Sequence, residues 1–270
     1  MFAQAQFLVL VGAGSVGALM LLLWLIHLPI KNAGIVDIGW SLGLAILAVL
    51  YASLGPGYGP RKWLIAGMAA IWGLRLAWHL FRRIVGHPEE GRYQQLRKEW
   101  GAHIEIKFLG FFEFQAFLDL VLSLPFLLAA LNPQPRLSWL EYAGVGIWLI
   151  AVIGESTADM QLASFKRAPE NHGKVCNAGL WKYSRHPNYF FEWLIWVAWA
   201  LFALASPYGW IALVCPALML YFLFKVTGIP ATEAQALRSK GEAYRRYQET
   251  TSAFVPWFPH ARTATSEGSR

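Results

Sequence analysis

What most constrains this chain is a succession of apolar runs, each close to the length a helix needs to cross a bilayer. Hydrocarbon offers the backbone no water, so a run of roughly 17 to 25 apolar residues settles there as a helix that satisfies its own amides and carbonyls. Seven runs qualify, at residues 7–28, 38–54, 63–81, 114–131, 139–160, 189–205 and 210–226. They predict an all-α integral membrane bundle of seven transmembrane helices. Composition agrees, because 56% hydrophobic against 14% charged residues is too apolar for a soluble surface, and 14 Trp with 10 Tyr suit two lipid–water interfaces. Two cysteines, Cys176 and Cys215, exclude a disulfide-stapled module. The first run is long and lacks a basic flank before it, so it is read as a span and not as a cleaved leader.

The net charge of +7 could suggest nucleic acid, but its distribution points elsewhere. With seven spans, Arg61, Lys62 and Arg136 fall on one side and Arg75 and Lys225 within spans. The other basic residues share the opposite side, which the positive-inside rule makes cytosolic, with the N-terminus outside and the C-terminus in the cytosol. Topology thus accounts for the basic excess, and no nucleic-acid partner is expected. A single membrane domain is expected over 1–270. Residues 227–259 supply a cytosolic helix, charged at helical spacing over Glu233–Tyr247, and an interfacial tail over Phe254–Pro259. Residues 260–270, polar and small, are expected to be disordered.

Gly12-Ala13-Gly14-Ser15-Val16-Gly17 matches the G-x-G-x-x-G pattern of dinucleotide loops. That pattern works after a strand, where helix N–H groups face pyrophosphate; here it lies inside an apolar run, and close helix packing through small residues is the better reading.

Ionisable groups inside spans are the informative ones, since each is unfavourable by roughly 2.5–3.5 kcal/mol on insertion scales. Asp37 opens the second helix with Trp40 about one turn on, and both a helix cap and an acid remain open for it. Arg75, His79, Arg82 and Arg83 ride the third helix, the last two at snorkelling depth. Glu155 and Asp159 are four apart, hence on one face of the fifth helix, and two neighbouring carboxyls need donors. Asn188 and Glu192 repeat that spacing on the sixth, and Lys225 closes the seventh. No His or Cys accompanies His79 at ligand spacing, so no metal is expected. The loops add Arg92, Lys166, Lys174, Tyr183, Arg185 and His186 at the same end of the bundle. Such a set suits a polyanionic ligand, either a nucleotide cofactor or anionic lipid headgroups.

The segment Gly179-Leu180-Trp181-Lys182-Tyr183-Ser184-Arg185-His186-Pro187-Asn188-Tyr189, with Glu192 beyond, resembles the C-terminal domain of the steroid 5α-reductase family, in particular its bacterial membrane members. Asn32-Ala33-Gly34-Ile35-Val36-Asp37-Ile38-Gly39-Trp40, Gly91-Arg92-Tyr93, Asp159, and Thr227-Gly228-Ile229-Pro230 with Glu233 ahead of Tyr244 and Tyr247 extend the likeness over most of 30–259. The resemblance implies seven membrane helices, NADPH bound from the cytosol, and reduction of the 4,5 double bond of a 3-oxo-Δ4 steroid or similar lipophilic enone in a bacterial cytoplasmic membrane; a monomer is expected. The resemblance places the cofactor on Arg92, Glu155, Asp159, Lys166, Lys174, Tyr183, Asn188 and Glu192, and Arg185, His186, Lys225 and Glu233, at the same end of the bundle, are expected to bind it too. The family's Gln-Glu pair and Tyr give way to Asp37 with Trp40, and to Trp72. An indole can donate a hydrogen bond but is no ordinary proton donor, so Asp37, another residue or water must serve. A similar Arg-His-Pro segment and C-terminal Glu occur in membrane methyltransferases of the isoprenylcysteine or phospholipid type, which use S-adenosylmethionine, and that is the alternative activity.

Overall fold

A computed structural model describes residues 2–226 and 228–260. The expected disorder at the C-terminus, His260 apart, lies outside these residues, as does Thr227 of the Thr-Gly-Ile-Pro motif. Among the described residues the secondary structure is helical throughout, with no strand. Four single helices, α1 (Phe2–Ile30), α2 (Ile35–Leu54), α3 (Gly59–Ile84) and α7 (Trp139–Arg167), are long and apolar enough to cross a membrane, as is the helical run that begins at Gly209. A sixth span results if α5 (Ile104–Leu122) and α6 (Leu124–Leu131), bent by 42°, are taken together. These are the features of a multi-pass membrane protein.

The expected run 114–131 is therefore two helices, and the reason is local. Pro125 has no N–H for the carbonyl of Val121, and its ring crowds that turn. The thiol of Cys215 donates instead to the carbonyls of Val121 and Leu122, at 3.6 and 3.7 Å. The stretch 82–113, expected as loop, holds α4 (Gly91–Trp100) and the first half of α5. The single helix expected over Glu233–Tyr247 is two, α10 (Ile229–Lys240) and α11 (Glu242–Thr250), because Gly241 turns the chain at φ +53°, where a side chain would be strained. The expected run 210–226 is α-helical only over α9 (Val214–Tyr221), entered by a 3-10 turn and left by a π turn at Phe222–Val226.

The chain forms two compact units, one of residues up to Val145 with Trp199–Cys215, the other of Gly146–Ala198 with residues from Pro216 onward. In the first, α2 is the central helix and the most deeply buried. It lies close to α3, where a methyl group at Gly73 would stand 2.6 Å from the Ser41 carbonyl oxygen. Trp40, Trp72, Trp199 and Phe126 form a run of edge-to-face rings with centroids 5.1 to 5.8 Å apart. In the second unit α8 (Pro187–Ala203) meets α7 so closely that a methyl group at Gly154 would overlap the Phe191 ring.

Candidate functional site

Twelve of the residues singled out from the sequence gather into three clusters, one in the first unit and two in the second. In the first, Asp37 lies in the opening turn of α2, but its carboxylate does not cap the helix. Arg92 Nη2 donates to both its oxygens, at 3.0 and 3.1 Å, and the Tyr93 hydroxyl donates to Oδ1 at 2.9 Å. Arg92 also touches the Tyr93 hydroxyl and lies 4.6 Å from its ring centroid. Burial alone would lower the Arg92 guanidinium, but the Asp37 carboxylate and Tyr93 hold it above its already high usual value. Burial, reinforced by Asp37, pushes the Tyr93 phenol well up, so it stays a donor at neutral pH. Arg92, placed at the cofactor by resemblance, is here a partner of Asp37. Trp40 and Trp72 meet edge to face at 5.8 Å, with Trp72 fully buried.

One layer beneath, Glu89 accepts from the Ala33 amide at 2.8 Å and from Arg97 Nε at 2.8 Å, fastening α4 to the start of α2. Arg97 reaches on to Glu105 at 3.3 Å and to the buried His27 at 3.0 Å. His27 and Glu105 had no signal in the sequence, since their meeting depends on α1 and α5 lying side by side.

In the second unit, α7 and α8 bring together the polar pairs expected of them. Asn188 Nδ2 donates to Asp159 Oδ1 at 3.4 Å, Glu155 is buried one turn before Asp159, and Glu192 Oε1 accepts the Trp196 indole N–H at 3.1 Å. The loop that follows α7 is held against it, with the Trp181 indole on the Ala158 carbonyl at 2.9 Å and the Leu180 amide on Gln161 Oε1 at 2.8 Å. Lys166, at the end of α7, and Lys174, in this loop, are exposed.

The third cluster is a clasp. Arg185 Nε donates to Glu233 Oε1 at 2.7 Å and Nη1 to the carbonyls of Gln248 and Thr251, at 2.9 and 2.6 Å. His186 Nε2 lies 3.3 Å from the same Glu233 oxygen, and its ring stacks on Tyr189 with 5.3 Å between centroids. Burial lowers the His186 imidazole below its usual value, partly opposed by Glu233. The Tyr183 carbonyl accepts the Trp257 amide at 2.9 Å while its ring meets Phe258 edge-on. Arg185, His186 and Glu233 are thus brought together, spending their bonds on each other and the tail. Lys225 stands apart, exposed on the π turn.

A family model described as "Protein of unknown function (DUF1295)" matches residues 23–251, and the chain belongs to that family. An uncharacterised protein of Schizosaccharomyces pombe is 24% identical over 269 residues, covering 87% of this chain and 75% of the relative. No solved structure matches.

Proposed function

We propose that this DUF1295 protein is an NADPH-dependent membrane reductase of an activated carbon–carbon double bond in a lipophilic enone of the 3-oxo-Δ4-steroid type. The observation that carries it is the meeting of Asp159 and Asn188 across α7 and α8, with Glu155 buried beside them and Glu192 one turn on. Four polar side chains on this apolar helix pair offer a ligand both donors and acceptors. Carboxylates suit ribose hydroxyls and a carboxamide N–H₂, Asn188 suits a carboxamide oxygen, and Lys166 and Lys174 suit phosphate as point charges. The fit is poorer for Arg185, His186 and Glu233, which read as supports of the loop.

When bound, the cofactor supplies the hydride. The chain's own task is to hold the enone carbonyl and deliver a proton. Asp37 is partly exposed, and Arg92 and Tyr93 fix the direction in which its carboxyl points. Trp72, buried among rings, supplies shape and no proton.

The finer topology belongs to the same reading. Adding α8, which at 17 residues is about 25 Å long, brings the spans to seven. The basic loops then face the cytosol of a bacterial cell, and the cofactor enters from that side. Purified protein incubated with NADPH and a 3-oxo-Δ4 steroid should consume the cofactor and release one 5-dihydro stereoisomer. Absence of product, together with absence of thermal stabilisation by NADPH, defeats the proposal.

One observation favours a second reading. Arg185, His186 and Glu233, the residues shared in pattern with membrane methyltransferases, do come together. Thermal stabilisation by S-adenosylmethionine and not by NADPH decides for it.

A further inference from the structure

Asp119 differs from the other acidic groups of the first unit. It is fully buried, and neither of its oxygens receives a hydrogen bond. It lies on α5, within the bent pair apolar enough to cross a membrane. An ionisable side chain there carries an insertion penalty that packing alone does not explain.

The neighbouring helices leave room for polar heads along this helix. A methyl group at Gly43 of α2 would overlap Asp119 Oδ2. One at Gly17 of α1 would stand 3.5 Å from Glu113 Oε2, and one at Gly12 would stand 2.7 Å from the Tyr51 hydroxyl, to which Ser123 Oγ donates at 3.4 Å. Two glycines of the Gly12–Gly17 motif therefore border an intramembrane carboxyl or hydroxyl. Along α5, Glu105, Glu113, Asp119 and Ser123 fall within about a third of the helical circumference and spread over about 27 Å, close to the thickness of a hydrocarbon core. At one end Glu105 meets His27 and Arg97, both at 3.3 Å.

We propose that this face of α5 is a proton-carrying file through the bilayer, with Asp119 as its central binding site. The ligand is the proton alone. Asp119 takes it from the Glu113 side and releases it toward Tyr51 and Ser123, or the reverse, with no bond to carbon and no electron exchanged. The titratable groups on the elements packed around Asp119 are Glu113, six residues earlier on its own helix, Tyr51 of α2, which meets Ser123, and Cys215, whose thiol donates to the carbonyls of Val121 and Leu122; Val16 of α1 stands beside Gly43. This inference requires that α1, α2 and α5–α6 cross the bilayer, and it is independent of the reductase reading.

The test uses the full chain in liposomes loaded with a pH-sensitive dye and driven by a valinomycin potassium potential. The expected result is proton entry well above protein-free vesicles, reduced about tenfold or more in Asp119→Asn and less in Glu113→Gln. Dicyclohexylcarbodiimide, which adds to protonated carboxyls in apolar surroundings, should block entry in the unaltered protein and leave its mass on Asp119. Entry no greater than in protein-free vesicles, entry unchanged in a folded Asp119→Asn, or a label placed elsewhere overturns the proposal. The reagent acts on the unaltered chain, so the test survives a variant that fails to fold.

Discussion

Two ion pairs in the first unit use the same chemistry in opposite surroundings. Arg61 and Glu141 are 1% and 0% exposed. The Arg61 guanidinium also donates to the carbonyls of Asn132, Gln134 and Arg136, at 3.2, 2.6 and 2.6 Å, and Glu141 accepts the Ser138 amide at 2.6 Å. Arg92 and Asp37 are 41% and 30% exposed. The closed pair rivets the loop before α7 to the start of α3, leaving no face toward a ligand. The open pair can exchange a partner. Burial with full satisfaction marks scaffold here, and partial exposure marks a place where chemistry can happen.

The largest expected effect breaks the closed pair. Glu141→Ala strands a buried guanidinium and should lower stability by roughly 3–5 kcal/mol, seen as a large drop in the thermal midpoint in detergent. A shift as small as an exposed pair gives would erase the contrast. Next, Asp37→Asn should leave stability within about 1 kcal/mol, yet reduce enone turnover by roughly 100-fold or more, with little change in the NADPH concentration needed. Unchanged turnover removes Asp37 from the chemistry. Asn188→Ala sharpens the comparison from the second unit, with NADPH affinity, read from the ligand-concentration dependence of the thermal midpoint, weakened roughly tenfold, the size of one lost hydrogen bond of about 1.4 kcal/mol. Equal stabilisation of variant and parent would count against that site.

The smallest effect is one of pH. Burial lowers His186 in the folded chain, with Arg185 and Glu233 beside it, so the unfolded chain binds more protons just below the usual histidine value. Its stabilising contribution is therefore complete above about pH 6.5 and declines as pH falls from there through the folded value. Midpoints recorded at descending pH should fall, and less steeply in His186→Gln. A parallel fall in the two proteins assigns the dependence elsewhere.

Five of the expected spans, or six with the bent pair, were legible because hydrocarbon leaves a chain few choices, and run length reports that directly. The break at Ser123 was also written in the sequence, two residues before Pro125, but an apolar run hides a bend that does not interrupt hydropathy. Ser138-x-x-Glu141 had the form of a capping box, and Glu141 does reach back to the Ser138 amide. Its second partner, Arg61, is 80 residues away and reads in one dimension as a topological charge. Spacing of four placed Asp159 on one face with Glu155, and Asn188 with Glu192. By contrast, nothing local joins Asp37 to Arg92 across 55 residues. Asp119 lies inside the run 114–131, yet a lone acid there has no charged partner at helical spacing to mark it, and its isolation appears only when the helices around it are in place.

The clasp at Arg185 also has a consequence for biogenesis. Its acceptors come from Glu233, Gln248 and Thr251, so the Arg185 end of the segment after α7 lacks its partners until the ribosome has translated as far as Thr251, 66 residues on. During that interval Arg185 and Ser184 stand without the groups that later hold them. A premature stop ahead of Gln248 would leave that wait unending, and membrane proteases would meet an unlatched loop.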